Sequence, residues 1–355
     1  MTYAEGTRRL RIVGIGGGTG LPVLLRGLRI LAEHPYGEAI QPVAIVSVSD
    51  NGGSSGRLRK ALSIPAVGDL RNCLVALSPA DASLADIFQY RLTGDWELSG
   101  HCLGNLIVTA LLMRLGGLGE AIRAAEELLQ VKGRVMPCTE HSTTLCAESD
   151  DGAAVLGETQ IAEARRSIRR MWLEPGNPSP APGVIEAILD SDAIVFGPGS
   201  LYTSIVPNLL VKGVPEAVRA SRAAKIVVVN LMTEPGQTGG FSAADHVRVI
   251  AEHLGGGIDA CVVNSRPLPA SVLRHYASHG IAPVILDETG ISRCGARPVA
   301  ADLLADGEFK ARHDPFRLAR LIADLAQENA RAGNCVSIGS RSGWLRSRIA
   351  RLGES

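Results

Sequence analysis

The seven cysteines include no C-x-x-C pair and show none of the spacings of a zinc ribbon or a disulfide framework. They are expected to be reduced thiols, as in a cytoplasmic protein. Long hydrophobic runs are also missing: those present, such as the one around Leu106 to Leu112, are too short to span a bilayer. The chain starts with two arginines before an apolar stretch, but glycines interrupt that stretch, so no signal peptide is predicted. Neither sign of charge is in excess, because 36 Lys+Arg balance 36 Asp+Glu. That excludes the summed field that draws proteins to nucleic acid or anionic membranes, and any anion site has to be built locally. The H-E-x-x-H zinc motif and the G-x-x-x-x-G-K-[ST] phosphate loop do not occur either.

What the chain does have is a recurring strand, glycine-rich turn and helix. Runs rich in Val and Ile predict strands at Arg11–Ile15, Val43–Val48, Ala193–Phe196, Lys225–Val229, Ala260–Asn264 and Pro283–Leu286. Their apolar character is continuous rather than alternating, which suits strands covered on both faces. Helical periodicity falls at Leu21–Ala32, Asp69–Leu77, Asn105–Leu115, Leu118–Leu129, Pro182–Leu189, Ala243–Leu254, Ser271–His279 and Pro315–Asn329. This order predicts an α/β, Rossmann-like, doubly wound and mainly parallel sheet. Between about 133 and 175, short stretches separated by turn residues predict a small β-rich insertion packed on that sheet, closed by the proline-rich loop 174–182. Residues 1–332 read as one domain, and 333–355 as a basic, loosely ordered tail carrying Arg341, Arg346, Arg348 and Arg351.

Five segments carry candidate chemistry. Strand Arg11–Ile15 runs into Gly16-Gly17-Gly18-Thr19-Gly20 and a helix with Pro22 in its first turn. A glycine turn leading into a helix presents backbone N–H groups to an anion and lets it come close, although a tight turn without a ligand has the same sequence. Asp50 follows the second strand, placed to accept ribose hydroxyls or hold a divalent cation, with Asn51, Gly53, Ser54 and Arg57 as an anion nest. The plainer alternative there is an ordinary D-N-G-G turn followed by a flexible loop. Asp69 opens the next helix, where the dipole favours an acid, and Arg71 and Asn72 lie one turn in, within reach of a ligand held by Asp50.

In Gly100-His101-Cys102-Leu103-Gly104-Asn105, Asn105 reads as a helix cap and His101 as a loop residue, or His101 as a phosphate donor or general acid. The second glycine turn follows strand Ala193–Phe196 and brings Gly197, Gly199, Ser200, Thr203, Ser204 and Asn208. Asn230 and Thr233 follow the neighbouring strand at the same sheet edge, which implies a shared crevice.

Taken together, GIGGGTGLPVLLRGL, SDNGGSSGRLRKAL, GDLRNCLVAL, GHCLGNL, GPGSLYTSIVPNLLV and N-x-M-T-x-P-G-x-T closely resemble the bacterial gluconeogenesis-factor family (YvcK-like, the UPF0052 group). That family lies within the superfamily of CofD-like 2-phospho-L-lactate transferases, and the likeness runs from about Arg11 to Asn329. The resemblance implies a Rossmann-like fold, binding of UDP-sugars such as UDP-N-acetylglucosamine, and a role in cell shape and envelope growth on gluconeogenic carbon sources. Envelope-synthesis proteins are the partners it implies. It also ties a Tyr and an Arg to UDP-sugar binding, and these match Tyr276 and Arg312. In the transferase branch two aspartates hold a divalent metal; Asp50 and Asp69 align with them, which makes Mg²⁺ the implied cofactor. The residues between these aspartates follow the gluconeogenesis-factor pattern rather than the transferase pattern.

Three readings follow. The first is a regulatory protein whose UDP-sugar lies with its diphosphate against Gly16–Gly20 and Gly197–Thr203. The second is a metal-dependent transferase of a phosphate-linked group. The third, an NAD-dependent oxidoreductase, fits the fold but lacks the strict G-x-G-x-x-G fingerprint and is the weakest. A homo-oligomer is compatible with each of them.

Overall fold

Ten strands divide between two sheets: β1 (Leu10–Gly16), β2 (Ile40–Val46), β3 (Arg134–Pro137), β4 (Thr144–Ser149), β5 (Ala154–Leu156), β6 (Ile168–Glu174), β7 (Ala193–Phe196), β8 (Ala224–Val228), β9 (Ala260–Asn264) and β10 (Arg297–Ala301). The computed structural model describes residues 9–33, 39–79, 83–307 and 310–334, so the basic tail from 335 onward lies outside the described residues. Seven strands form the main sheet in the order β10-β9-β8-β7-β1-β2-β3, and every neighbouring pair is parallel. The other three make a small antiparallel sheet, β5-β4-β6.

The strand sequence explains this arrangement. In β7, Ala193 and Val195 pack into one apolar layer while Ile194 and Phe196 pack into the other. The same split runs through β8, where Ala224, Ile226 and Val228 face one way and Val227 the other. Both faces are therefore covered, and the predicted doubly wound α/β fold is what forms. Helices Leu21–Glu33, Gly68–Leu77, Leu118–Leu128 and Pro315–Asn334 contribute to the first layer. The small sheet and helix Ala243–Leu254 contribute to the second.

Chain order places the site. The path steps outward from β1 to β2 and β3, then returns to the other side of β1 as β7. That reversal falls at the carboxyl ends of β1 and β7, the position where open α/β sheets take their ligands.

Two strand expectations need correction. Pro283–Leu286 forms no strand; Pro283 makes one isolated bridge to Met232 and Ile285 another to Ser242, and Ile285 is 66% exposed. A proline without an N–H and an exposed isoleucine do not sustain a buried ladder. The outer strand is instead Arg297–Ala301, whose half-buried, weakly apolar sequence tolerates Pro298 at a sheet edge. At the opposite edge, Arg134–Pro137 belongs to the main sheet rather than to the small insertion sheet.

Helix Ala243–Leu254 is fixed at its start by a capping box: Ser242 Oγ accepts from Asp245 N, and the Asp245 carboxylate accepts from Ser242 N at 2.9 Å. Ser242→Ala is expected to cost about 1 kcal/mol in chemical denaturation, with an unchanged dependence on denaturant concentration.

Candidate functional site: two glycine elbows and a carboxylate cluster

The two glycine turns meet at the sheet reversal. Gly197 N donates to Ile15 O at 3.0 Å, and Asn208 Nδ2 donates to Gly16 O at 3.2 Å, so the second elbow is tied to the end of β1. A Cβ on Gly20 would lie 2.7 Å from Gly199 Cα and closer still to the Pro198 carbonyl. One on Gly18 would lie 3.2 Å from Ser204 Oγ. Glycine at position 20 is required by backbone-to-backbone contact, and at position 18 by a φ of +62°.

The expectation of elbow amides open to an anion is amended by their partners. Gly18 N donates to Asp69 Oδ2 at 2.6 Å, and Gly199 N donates to Asn230 Oδ1 at 3.0 Å. Asn230 Nδ2 also donates to Gly199 O at 2.9 Å, so one side chain closes the second elbow from both sides. Asn72 Nδ2 does the same service for the first, donating to Gly18 O at 3.3 Å. Buried main-chain groups are paired as a rule, and here side chains supply the partners.

Around these elbows stand four acids. Burial and then the charge of Asp50 push the Asp69 carboxyl up to about 6, against the opposing bond from Gly18 N. Glu158 arrives from the small insertion and is pushed to about 9, first by burial and then by Asp69 and Asp50; a hydrogen bond with Thr203 opposes the rise. Glu234 is raised by burial, and its carboxylate accepts from Ser200 Oγ at 2.7 Å. Asp50 Oδ1 accepts from Gly52 N at 2.8 Å, which fixes the turn after β2. Among the described residues, Ser47 Oγ and Glu158 Oε2 are buried and find no hydrogen-bond partner. The charge of Asp50, added to burial, makes the Asp69 and Glu158 carboxyls hold their protons more tightly than carboxyls in water do.

Among the described residues no three His, Cys, Asp or Glu side chains form a cation cage by themselves. That still fits Mg²⁺, which is commonly held by one or two carboxylates together with water and ligand phosphate oxygens. Asp50 and Asp69 are the two carboxylates suited to it.

Several sequence candidates serve the scaffold. Gly53–Leu62 is a helix rather than a flexible loop, and its buried Ser54 docks it. Ser54 Oγ accepts from Cys102 N and Asn105 Nδ2, each at 3.2 Å, and lies 3.1 Å from His101 Nδ1. Residues 52–56 satisfy the G-x-S-x-G spacing of a nucleophile elbow, but this serine is buried and engaged on every side. His101 is held below the ordinary imidazole range by burial and by Arg57 and Arg91. Arg57 Nη2 donates to Ser99 O at 3.0 Å, and Asn51 binds the insertion through Gln160 Oε1 at 2.7 Å and Thr159 N at 2.9 Å.

Thr233 is paired with Ala282 in both directions, at 2.8 and 3.1 Å. Tyr276 packs in a small apolar cluster with Leu231, Met232 and Leu304, two strands along the same sheet edge from the elbows. Arg312 lies beside that cluster, its carbonyl accepting from Ala305 N at 2.9 Å.

Sequence reading missed Glu158, Glu234, Gln237 and Ser47. Glu234 and Gln237 stand inside the N-x-M-T-x-P-G-x-T segment, where a polar residue flanking Pro-Gly was a usable signal. Glu158 lies in the insertion, and only folding brings it to Asp50 and Asp69.

A family profile described as 2-phospho-L-lactate transferase CofD matches residues 12–304. The gluconeogenesis factor of Bacillus subtilis is 41% identical over 319 residues, covering 90% of this chain and 98% of that protein. Its namesake in Listeria monocytogenes is 40% identical, covering 87% of this chain and 93% of its own. A crystal structure of a UPF0052-family protein from Bacillus halodurans superposes with a TM-score of 0.83 at 40% identity, over 88% of this chain and 99% of that one. With the fold, the elbow motifs and these matches in agreement, the chain belongs to the gluconeogenesis-factor (UPF0052) branch of the CofD family.

Proposed function

We propose that the protein binds a UDP-sugar of the UDP-N-acetylglucosamine kind, with the diphosphate between Gly18 and Ser200, and acts as a regulator of cell shape and envelope growth under gluconeogenic conditions. Its protein partners on this reading belong to the envelope-synthesis machinery. The observation that carries the proposal is the abutment of two glycine elbows at the sheet reversal, next to paired aspartates. A divalent cation on Asp50 and Asp69 would neutralise both the carboxylates and the diphosphate. Asn72, Asn208 and Asn230 hold the elbow backbones in place. Thr19, Thr203 and Ser204 would add polar groups beside the diphosphate, and Tyr276 and Arg312 would meet the nucleoside or sugar.

Calorimetric titration with UDP-N-acetylglucosamine tests this reading, with and without Mg²⁺. Micromolar binding that depends on Mg²⁺ is expected. Gly18→Asp should weaken it by about a hundredfold, because aspartate tolerates positive φ and places a fixed negative charge at the elbow. Wild-type protein that binds no UDP-sugar under either condition would refute the reading.

The aspartate pair also favours a second reading, a CofD-like transferase of a phosphate-linked group. Turnover of a labelled nucleotide conjugate, lost in Asp50→Asn, would establish it.

A further inference from the structure

A cavity of about 540 Å³ lies apart from the aspartate pair, between the small antiparallel sheet and helix Ala243–Leu254. That volume falls within the range of small-molecule sites, roughly 300–1,000 Å³. The cavity is lined by Arg165, Arg169 and Arg170 beside and on β6, by Arg248 on the helix, and by the rings of Tyr202 and Phe241. Asp150 and Glu252 are the acids in its wall, so arginine predominates.

The arginines are not equivalent. Arg248 is held by Asp245 and Glu252, each at 3.2 Å, and Arg169 by Glu148 at 3.5 Å. Among the described residues Arg165 and Arg170 have no carboxylate partner; Arg170 instead lies 6.0 Å above the Trp172 ring. Arg165 has a locked backbone, with φ +48° and Gly236 packed against its Cα. Tyr202 is 5% exposed and packs edge-on to Phe241 at 6.3 Å.

We propose that this cleft is a second ligand site, for a compact polyanion: a small metabolite bearing two or more phosphate or carboxylate groups. Arg165 supplies a planar two-pronged donor for those groups, Arg170, stacked over Trp172 at the rim, adds a second cation, and the Tyr202 and Phe241 rings wall off the water behind them. The cleft also communicates with the second elbow. Gln237 lines the cavity and its side-chain amide lies 2.9 Å from Ser200 Oγ, while Tyr202 is two residues from Ser200. Filling the cleft therefore bears on the elbow through side chains common to both.

The test uses the full chain with sodium pyrophosphate and with citrate, titrated by calorimetry at constant ionic strength and followed by Trp172 fluorescence. Three proteins are compared: wild type, Arg165→Gln/Arg170→Gln, and Gly18→Asp. At least one probe should bind wild type and Gly18→Asp alike, and at least tenfold more weakly to the double variant, whose melting should be unchanged because both arginines are exposed. Tighter binding of pyrophosphate assigns a phosphorylated ligand, and of citrate a polycarboxylate. Equal binding by the double variant and wild type, loss of binding in Gly18→Asp alone, or no binding of either probe below millimolar concentration would each overturn the proposal. If UDP-sugar fails to bind while the double variant loses pyrophosphate or citrate, the elbow reading falls and the cleft stands.

Discussion

Gly20→Ala is expected to lower stability by about 2 kcal/mol or more and to weaken UDP-sugar binding by at least about tenfold. The added Cβ would lie 2.7 Å from Gly199 Cα and closer to the Pro198 carbonyl, so it meets backbone on the opposite elbow rather than a side chain that can swing away. Either the turn after β1 or the turn after β7 has to move. Both are anchored at their strand ends, by Gly197 N to Ile15 O and by Asn208 to Gly16 O, which makes the movement costly. Gly257→Ala provides the contrast: nothing lies within 4 Å of its Cβ position, and its effect should stay within about 0.5 kcal/mol. Thermal melting of both variants, followed by ligand titration of the folded fraction, checks the pair.

Asp69→Asn should make the unliganded protein more stable at pH 8 while removing any Mg²⁺ dependence of ligand binding. Burial, with Asp50 adding to it, moves the Asp69 carboxyl from the ordinary 3.8 to about 6, so the folded chain holds this proton more tightly than the unfolded chain. The group's favourable contribution is complete below about pH 4 and is lost as the pH rises through 6. At pH 8 the ionised carboxylate costs the fold about 3 kcal/mol, as an upper figure. Asparagine keeps an acceptor for Gly18 N and removes the charge. Its advantage over wild type should therefore be largest at pH 8 and shrink towards zero at pH 4. Denaturation curves at these two pH values decide the matter. An advantage that grows on acidification would show that the aspartate is stabilised in its charged form.

Such a residue is poorly placed for stability and well placed for binding. On the proposed function, the local cost at Asp69 and Glu158 would be offset when a ligand or a cation completes the charge of the site.

The inner strands were legible because burial on both faces leaves a continuous apolar run, as at Ala193–Phe196 and Ala260–Asn264, where predicted and observed limits coincide. The edge strands were not. Arg134–Pro137 is too short to announce its partner, and Arg297–Ala301 is only partly buried, so neither needs a strongly apolar sequence. Pro283–Leu286 misled for the converse reason: its side chains are apolar, but they line a loop that bridges the ends of other segments. Helix Gly53–Leu62 was hidden by its glycines and serines, which read as a turn until Ser54 is seen engaged by Cys102 and Asn105.

Within the site, the glycines and the two aspartates were readable because turn chemistry is local in sequence. Glu234 had a local cue beside Pro235-Gly236, whereas Glu158 depends on tertiary approach. Glu158 reaches Asp50 and Asp69 only because the small sheet folds back over the crevice, held there by Asn51. No local pattern encodes that contact.

The central claim is that a nucleotide diphosphate rests where the two glycine elbows meet. A crystal of the chain soaked with UDP-N-acetylglucosamine and Mg²⁺ tests it most directly. The account predicts phosphate density bounded by Gly18 and Ser200, with the cation between it and Asp50 and Asp69. Density for the diphosphate among Arg165, Arg170 and Arg248 instead, with the elbows unchanged, would contradict it.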